Sequence, residues 1–230
     1  MCNIAEKIFL NRTVTITFLF ALFGIAAFAQ DPRFSFATDA GIQRNFKKQQ
    51  RYWAAGHTTQ AQFHITPKNG VYVSFAYYSP GRYINNIAAD AKSLQTTPQQ
   101  INYTNTGKMR LKHLSIGWKK YLRGTPDIEK GWNLYSNAGF GLLLGRVDNS
   151  QSMGIDTALY SVPVVSGTGK FKRLTLDLSL GWETPIGGDM YFYTEGKVWV
   201  PTTNYPSKYI FVNSNAPLVG MLSGGIRIIF

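Results

Sequence analysis

Leu174, Leu176, Leu178, Leu180 and Trp182 alternate with Arg173, Thr175, Asp177, Ser179 and Glu183. Alternation is the period of a β-strand, whose side chains point in turn to opposite faces of a sheet. One face of this strand is wholly apolar. The other carries full charges at mid-strand. Few architectures accept a sheet built from such strands. A soluble barrel or sandwich turns the apolar face inward. A closed barrel in a bilayer turns it outward and leaves no open edge.

The rest of the chain repeats the pattern and predicts eight strands. Strand one covers residues 34–46, with Phe34, Phe36, Thr38, Ala40 and Ile42 opposite Ser35, Asp39, Gln43 and Asn45. Strand two covers 52–66, with Trp53, Ala55, Ala61, Phe63 and Ile65 on its apolar face. Pro67-Lys68-Asn69-Gly70 is a tight turn. Strand three covers 71–83, and the Asn- and Gln-rich residues 85–106 read as a long loop. Strand four covers 108–123, with Leu114, Ile116 and Trp118 apolar. A short turn opens at Gly124, and strand five covers 132–147. A second long loop spans 148–169, and strand six contains the leucine series. Pro185-Ile186-Gly187-Gly188-Asp189 turns into strand seven, 190–200, and strand eight covers 218–230. Turns after strands two, four and six read as short. Those after three, five and seven read as long. Membrane barrels show this asymmetry, and an even strand count places both termini in the periplasm.

Both ends of the sequence carry export features. Lys7 and Arg12 precede an apolar run from residue 14 to 28, and Ala27-Phe28-Ala29 is a small-x-small cleavage site. Residues 1–29 read as a cleaved signal peptide, and residues 30–230 as one barrel domain starting at Gln30. Cys2, the only cysteine, leaves with the signal, so the mature chain has no disulfide. The other end reads Ser223-Gly224-Gly225-Ile226-Arg227-Ile228-Ile229-Phe230, with Ile226, Ile228 and Phe230 on one face. Strand eight is expected to pair with strand one.

Strands of 12 or more residues exceed the usual 5–6 of globular sheets. Aromatics near strand ends suit interfacial girdles. Trp118, Tyr121, Trp132, Trp182, Tyr191 and Tyr193 are expected at the inner edge; Phe46, Trp53, Tyr83, Phe171 and Trp199 at the outer edge. The fold expected is therefore all-β, an eight-stranded antiparallel transmembrane up-and-down β-barrel. On the leader, the strands and the terminal pattern, the chain resembles small Gram-negative outer-membrane barrels of the OmpA/OmpX type. It is similar to the stand-alone barrel domains that include PorT-like proteins. The terminal pattern of Ser223, Gly225, Ile228 and Phe230 resembles the signal read by the barrel assembly machinery. No peptidoglycan-binding domain is expected after Phe230, so the resemblance does not imply an OmpA-type anchoring role.

An eight-stranded lumen is just wide enough for side chains to fill. Charges pointing into it must be paired. Parity gives the inward set Asp39, Lys119, Asp177, Glu183, Glu195, Lys197 and Arg227, read as a salt-bridged plug. If Thr184 opposes Met190, Asp177 faces Lys197. Glu195 then falls to Arg227, with Asp39 close by across the seam. Basic residues gather at predicted outer strand ends: Arg44, Lys47, Lys48, Arg51, Lys108, Arg110, Lys112, Lys170 and Lys172, with Arg82 and Arg173. Lipopolysaccharide phosphates suit such contacts.

Other constellations are weaker. His113 and Ser115 share a strand face, and outer-membrane lipid A deacylases resemble this locally. Leu114, Ile116 and Trp118 claim the lipid side, however, and Ile116 stands where that family has a polar residue. His57 and His64 differ in parity and make no metal site, and no HExxH, P-loop or GxSxG motif occurs, so no cofactor is expected. Removing Lys7 and Arg12 from 24 basic residues, and Glu6 from 12 acidic, leaves a net +11. That surplus favours anionic partners, and an exported address makes nucleic acid an unsuitable one.

The function expected is a non-enzymatic outer-membrane structural or interaction module whose basic rim contacts lipopolysaccharide. The long loops carry the apolar pieces Val162-Pro163-Val164-Val165 and Tyr209-Ile210-Phe211-Val212, for which three readings stay open: cover for the barrel mouth, strand extension above the membrane, or a surface for an envelope protein partner. Two alternatives stay open: an accessory barrel of a secretion or envelope-assembly machine, PorT-like, and a lipid A-modifying hydrolase.

Overall fold

The computed structural model describes residues 33–203, 208–210 and 218–230. The signal-peptide and cleavage-site readings fall outside the described residues, as do Phe211 and Val212. Eight long strands form the wall: β1 Arg33–Asn45, β2 Tyr52–Thr66, β3 Asn69–Ala91, β4 Gln100–Arg123, β5 Asn133–Gln151, β6 Gly167–Gly187, β7 Met190–Pro201 and β8 Val219–Ile229. Each pairs antiparallel with its chain neighbours, and β8 closes on β1 from Ser35↔Ile229 to Asn45↔Val219. The result is an antiparallel closed ring of eight strands. A two-residue strand, Tyr160–Ser161, adds to the end of β3. A 3-10 turn, Lys48–Gln50, lies between β1 and β2.

The leucine-type faces point outward and the polar faces inward. Phe36, Phe75, Ile116, Phe140, Leu178 and Ile226 are all exposed, whereas Asp39, Thr175, Asp177 and Glu183 are buried. A soluble barrel would show the reverse. The outward residues form an apolar belt of the kind a transmembrane barrel presents to lipid. Both described ends of the ring lie at one rim, here the lower rim, with the β2–β3, β4–β5 and β6–β7 turns.

The strands run further than the sequence pattern predicts. Residues 85–106 are not a loop: β3 continues to Ala91, and β4 begins at Gln100. β5 likewise continues to Gln151, and β6 starts at Gly167. The paired extension rises above the upper rim and has a small core of its own. Ala89, Tyr103 and Tyr160 are buried there against Ile87, Ile101, Ile155 and Val162. The β4–β5 turn is longer than expected, residues 124–132.

The girdle expectation holds in part. Trp118, Trp182, Phe46 and Trp53 are exposed on the outside. Tyr121, Tyr191, Tyr193, Tyr83, Phe171 and Trp199 are buried in the lumen instead. Their parity puts them there: Tyr191 and Tyr193 share a face with Glu195 and Lys197.

Candidate functional site

The lumen holds two layers. The lower layer is ionic. Arg227, from β8, donates through Nε to Glu183 Oε2 at 3.1 Å and through Nη2 to Oε1 at 2.9 Å. This fork-to-carboxylate geometry is the strongest an ion pair adopts. Asn133 Nδ2 donates to the same Oε1 at 2.8 Å, and Lys119 Nζ stands 3.7 Å from Oε2. Lys119 also donates to Gln62 Oε1 at 2.9 Å, with its ammonium 3.7 Å from the Tyr135 ring centroid. Arg227 Nη2 reaches the Pro126 carbonyl at 2.7 Å, which ties the β4–β5 turn to the plug.

The second ionic group lies on β7. Lys197 Nζ meets Glu195 Oε1 at 2.8 Å, two residues along the same strand face, and Asn137 Nδ2 donates to Glu195 Oε2 at 2.9 Å. Asp39 accepts from the Tyr193 hydroxyl at 2.9 Å. Asp177 accepts from the Thr175 hydroxyl at 2.8 Å and lies 3.3 Å from His113 Nε2. With its proton given to Asp177, Thr175 Oγ1 is left to accept from His113 Nε2 at 2.9 Å.

These pairings correct the expected register. β6 and β7 meet as Gly187↔Met190 and then Pro185↔Tyr191, with a register shift between. Lys197 therefore opposes Ser179, and Asp177 opposes Trp199. The slip keeps every side chain on its face, because it is two residues and not one. Its cause is the turn, where Gly187 (φ 138°) and Gly188 (φ 55°) take conformations that glycine adopts without steric cost. The expected Asp177–Lys197 and Glu195–Arg227 partners are thus Thr175 with His113, and Lys197 with Asn137.

All seven inward-set residues face the lumen, and one more cation joins them. Arg173 is buried, donating through Nη1 to the Thr203 carbonyl, and does not belong to the rim. Four acids then face four cations within the described lumen, so the buried charges can balance. Sequence reasoning had the signal for Arg173, which shares parity with Asp177.

The upper layer is apolar. Tyr52, Tyr78, Tyr83, Met109, Leu111, Leu143, Val147, Phe171 and Trp199 form one cluster, and Ile210 of the β7–β8 connection packs into it. The His113 ring stacks on Trp199 at 4.0 Å between centroids, at the junction of the layers. Small residues make room for the rings. A Cβ on Gly145 would lie 2.1 Å from the Phe171 ring. Leu142-Leu143-Leu144, apolar on both faces, was the sequence signal for this layer.

The deacylase-like pair is not assembled as a catalytic couple. Both side chains point into the lumen. His113 bonds Thr175, and Ser115 Oγ lies 2.8 Å from Ser74 Oγ. His57 faces outward against Tyr77, and His64 faces inward against Ser35 at 2.8 Å.

The basic residues of the upper rim form two groups. Arg44 lies over the Trp53 ring at 4.8 Å, near Lys47, Lys48 and Arg51 at the β1–β2 corner. The other group spans three strands. Arg110, Arg146 and Lys170 are cross-strand neighbours on β4, β5 and β6. Lys112 and Lys172 flank Leu144 one row below, and Lys108 pairs with Asp148 one row above. Lys108, Arg110, Lys112, Lys170 and Lys172 are exposed on the outer face. Arg146 and Asp148 were missed by sequence reasoning, although outward parity and position pointed to Arg146. Asp148 organises the patch: it accepts from Thr168 Oγ1 at 2.6 Å and Arg146 Nε at 3.2 Å, with Arg110 Nη2 at 3.9 Å. The Thr168 hydrogen bond, with Arg146 and Arg110 beside it, holds the Asp148 carboxyl below its usual range.

At the closing seam, Ile228 and Phe230 point outward, and Ser223 and Gly225 are half-buried. Phe230 N–H donates to the Phe34 carbonyl at 2.8 Å, and the two rings lie 6.0 Å apart.

No protein-family model matches the chain. No curated protein matches it either. Solved structures do. Neisserial surface protein A superposes with a TM-score of 0.54 at 13% identity, over 86% of this chain and 97% of its own. OprG from Pseudomonas aeruginosa gives 0.48 at 9% identity, over 88% and 97%. Ail of Yersinia pestis, in complex with the heparin analogue sucrose octasulfate, gives 0.47 at 12% identity, over 87% and 100%. The first of these establishes the class: the chain has the fold of a small outer-membrane β-barrel, of the eight-stranded OmpA/OmpX type.

Proposed function

We propose that the protein is a non-enzymatic integral outer-membrane barrel, a structural and interaction module held by lipopolysaccharide phosphates at its upper rim. The observation that carries this reading is the patch across β4, β5 and β6. Lys108, Arg110, Lys112, Arg146, Lys170 and Lys172 sit together at the top of the apolar belt, with Asp148 as the one acid within the hydrogen-bonded rows. A bisphosphorylated lipid whose acyl chains lie along the belt would set its phosphates at this height. Arg and Lys then contribute charge-assisted hydrogen bonds.

The lower rim is read as periplasmic. The short turns and both described ends lie there, in the arrangement usual for such barrels. Ser223, Gly225, Ile228 and Phe230 are read as the assembly signal, with the Ile228 and Phe230 side chains available on the lipid face.

The test of the patch is the triple charge reversal Lys108→Glu, Arg110→Glu and Lys172→Glu. Protein extracted in mild detergent from outer membranes should retain several-fold less lipopolysaccharide than the parent. Heat-modifiable migration confirms that the variant still folds. Equal retention overturns the lipid reading. Orientation is tested by labelling intact cells with an impermeant maleimide. Ser93→Cys at the tip of the extension should label, and Asn69→Cys at the lower rim should not.

A further inference from the structure

We infer that the upper part of β3 is a docking edge for an extended, acidic segment of a partner polypeptide. β2 and β3 pair from Thr66↔Asn69 up to Gly56↔Tyr78 and no further. β3 continues against β4 to Asp90↔Gln100. Residues 81–89 therefore have a strand neighbour on one side only among the described residues.

The direction of the free groups follows from the hydrogen bonds at the tip. Ala91 N–H donates to the Gln99 carbonyl at 2.8 Å, toward β4. Lys92 N–H donates to the Leu159 carbonyl at 2.9 Å, away from β4. Backbone direction alternates along a strand, so the odd residues serve β4. Arg82, Ile84, Asn86 and Ala88 present N–H and C=O groups to the open side, and none has a backbone partner there among the described residues. The edge has defined ends. Tyr160–Ser161 closes it above, paired with Asp90 and Ala91, and a register shift between Tyr78 and Gly81 closes it below. The span from Arg82 to Ala88 is roughly 20 Å at 3.4 Å per residue, room for about six residues of added strand. Open strand edges pair with extended chains by their backbone groups, and flanking side chains select which chain.

Charge selects here. Lys47, Lys48 and Arg51 stand at the β1–β2 corner, which meets the middle of the edge where the Asn85 side chain reaches the Gln49 carbonyl. Arg82 lies on the edge itself, paired with Lys108. Asp90, the one acid of this stretch, lies at the far end and accepts from Gln100 Nε2 at 2.8 Å. A second copy of this chain would bring like charges together. A strand with carboxylates on alternate residues turns them toward the corner cations, on the face of Asn85, and its apolar residues cover Ile84, 69% exposed on the opposite, outer face. This inference concerns the backbone edge of β3, which adjoins the lipid patch through the Arg82–Lys108 pair and does not rest on it.

The experiment uses the full barrel folded in detergent and site-resolved amide exchange. The probes are a heptapeptide alternating glutamate and valine and its counterpart alternating lysine and valine. With the glutamate peptide, the amides of Arg82, Ile84, Asn86 and Ala88 should exchange at least tenfold more slowly, and those of Tyr83, Asn85 and Ile87 should not change. Ile84→Pro removes the central edge donor, which makes no ladder bond, so the variant should fold and lose the effect. Four results overturn the inference: no slowing at the four amides, equal slowing by the lysine peptide, full binding by a folded Ile84→Pro variant, or slowing without peptide that rises with protein concentration, which would make a second copy the occupant.

Discussion

Arg227 is the residue on which the lower layer turns. It forks onto Glu183, holds the Pro126 carbonyl, and lies over the Tyr191 ring at 4.0 Å. Burying these ions costs several kcal/mol each, so removing one partner leaves the other stranded. Arg227→Met should therefore destabilise the barrel by about 3 to 5 kcal/mol, and adding Glu183→Gln should return part of that loss. Denaturant unfolding of the single and double variants in detergent measures both, and strict additivity would show that the pair is not coupled. Asp148 has the opposite character. It holds two guanidinium groups of the basic patch to itself. Asp148→Asn should free Arg146 and Arg110 and raise lipopolysaccharide retention, roughly two- to five-fold on the scale of exposed ion pairs. Because its carboxyl is held below the usual range, the Arg146 bridge is present above that range and is lost as pH falls through the lowered value. Acidification through that lowered value, beneath the ordinary aspartate range, should thus mimic the substitution.

The β3–β4 hairpin is an element in two parts, one in the wall and one above it. Its upper part depends on the small core around Tyr103, which rests on Ala89 and Tyr160. Tyr103→Ala should loosen that part alone. Proteolysis should cut the extension, and the ring below should keep its heat-modifiable migration, since none of its wall contacts pass through Tyr103. Cleavage that spreads into the wall would show one cooperative unit instead. The same division explains what the sequence made legible. Strand faces in the wall were readable because lipid on one side and a packed lumen on the other enforce period two. Above the belt both faces meet water or a local core, so Asn85, Asn86 and residues 99–106 lose the pattern while the backbone goes on pairing. Register was not readable between β6 and β7, because parity is blind to a two-residue slip at Gly187. The inner aromatics were readable and were misassigned by height alone. The rim was legible as composition, and its division into a corner group and a three-strand patch needed the register.

At the scale of the whole molecule the two layers act in series. An ionic plug fills the lower lumen, and an aromatic layer from Tyr52 to Trp199 fills the upper. A water path through an eight-stranded ring would have to cross both. The ionic layer alone could hydrate when disturbed, because charges gain from solvent. The aromatic layer gains nothing from water, and its packing does not rely on Glu183, Arg227 or Lys197. The protein reconstituted in planar bilayers should therefore show no long-lived, porin-sized conductance, and neither should Arg227→Met. Trp199→Ala removes the ring that His113 stacks on and opens a gap above the ionic layer, yet Tyr78, Leu143, Phe171 and Ile210 remain around it. That variant should lose about 3 to 5 kcal/mol of stability and stay electrically silent. Only the combination of Trp199→Ala with Arg227→Met breaches both layers, and brief openings are expected from it alone. Stable channels in the parent, or in Arg227→Met by itself, would show that the aromatic layer does not seal the barrel and that the charged residues line water.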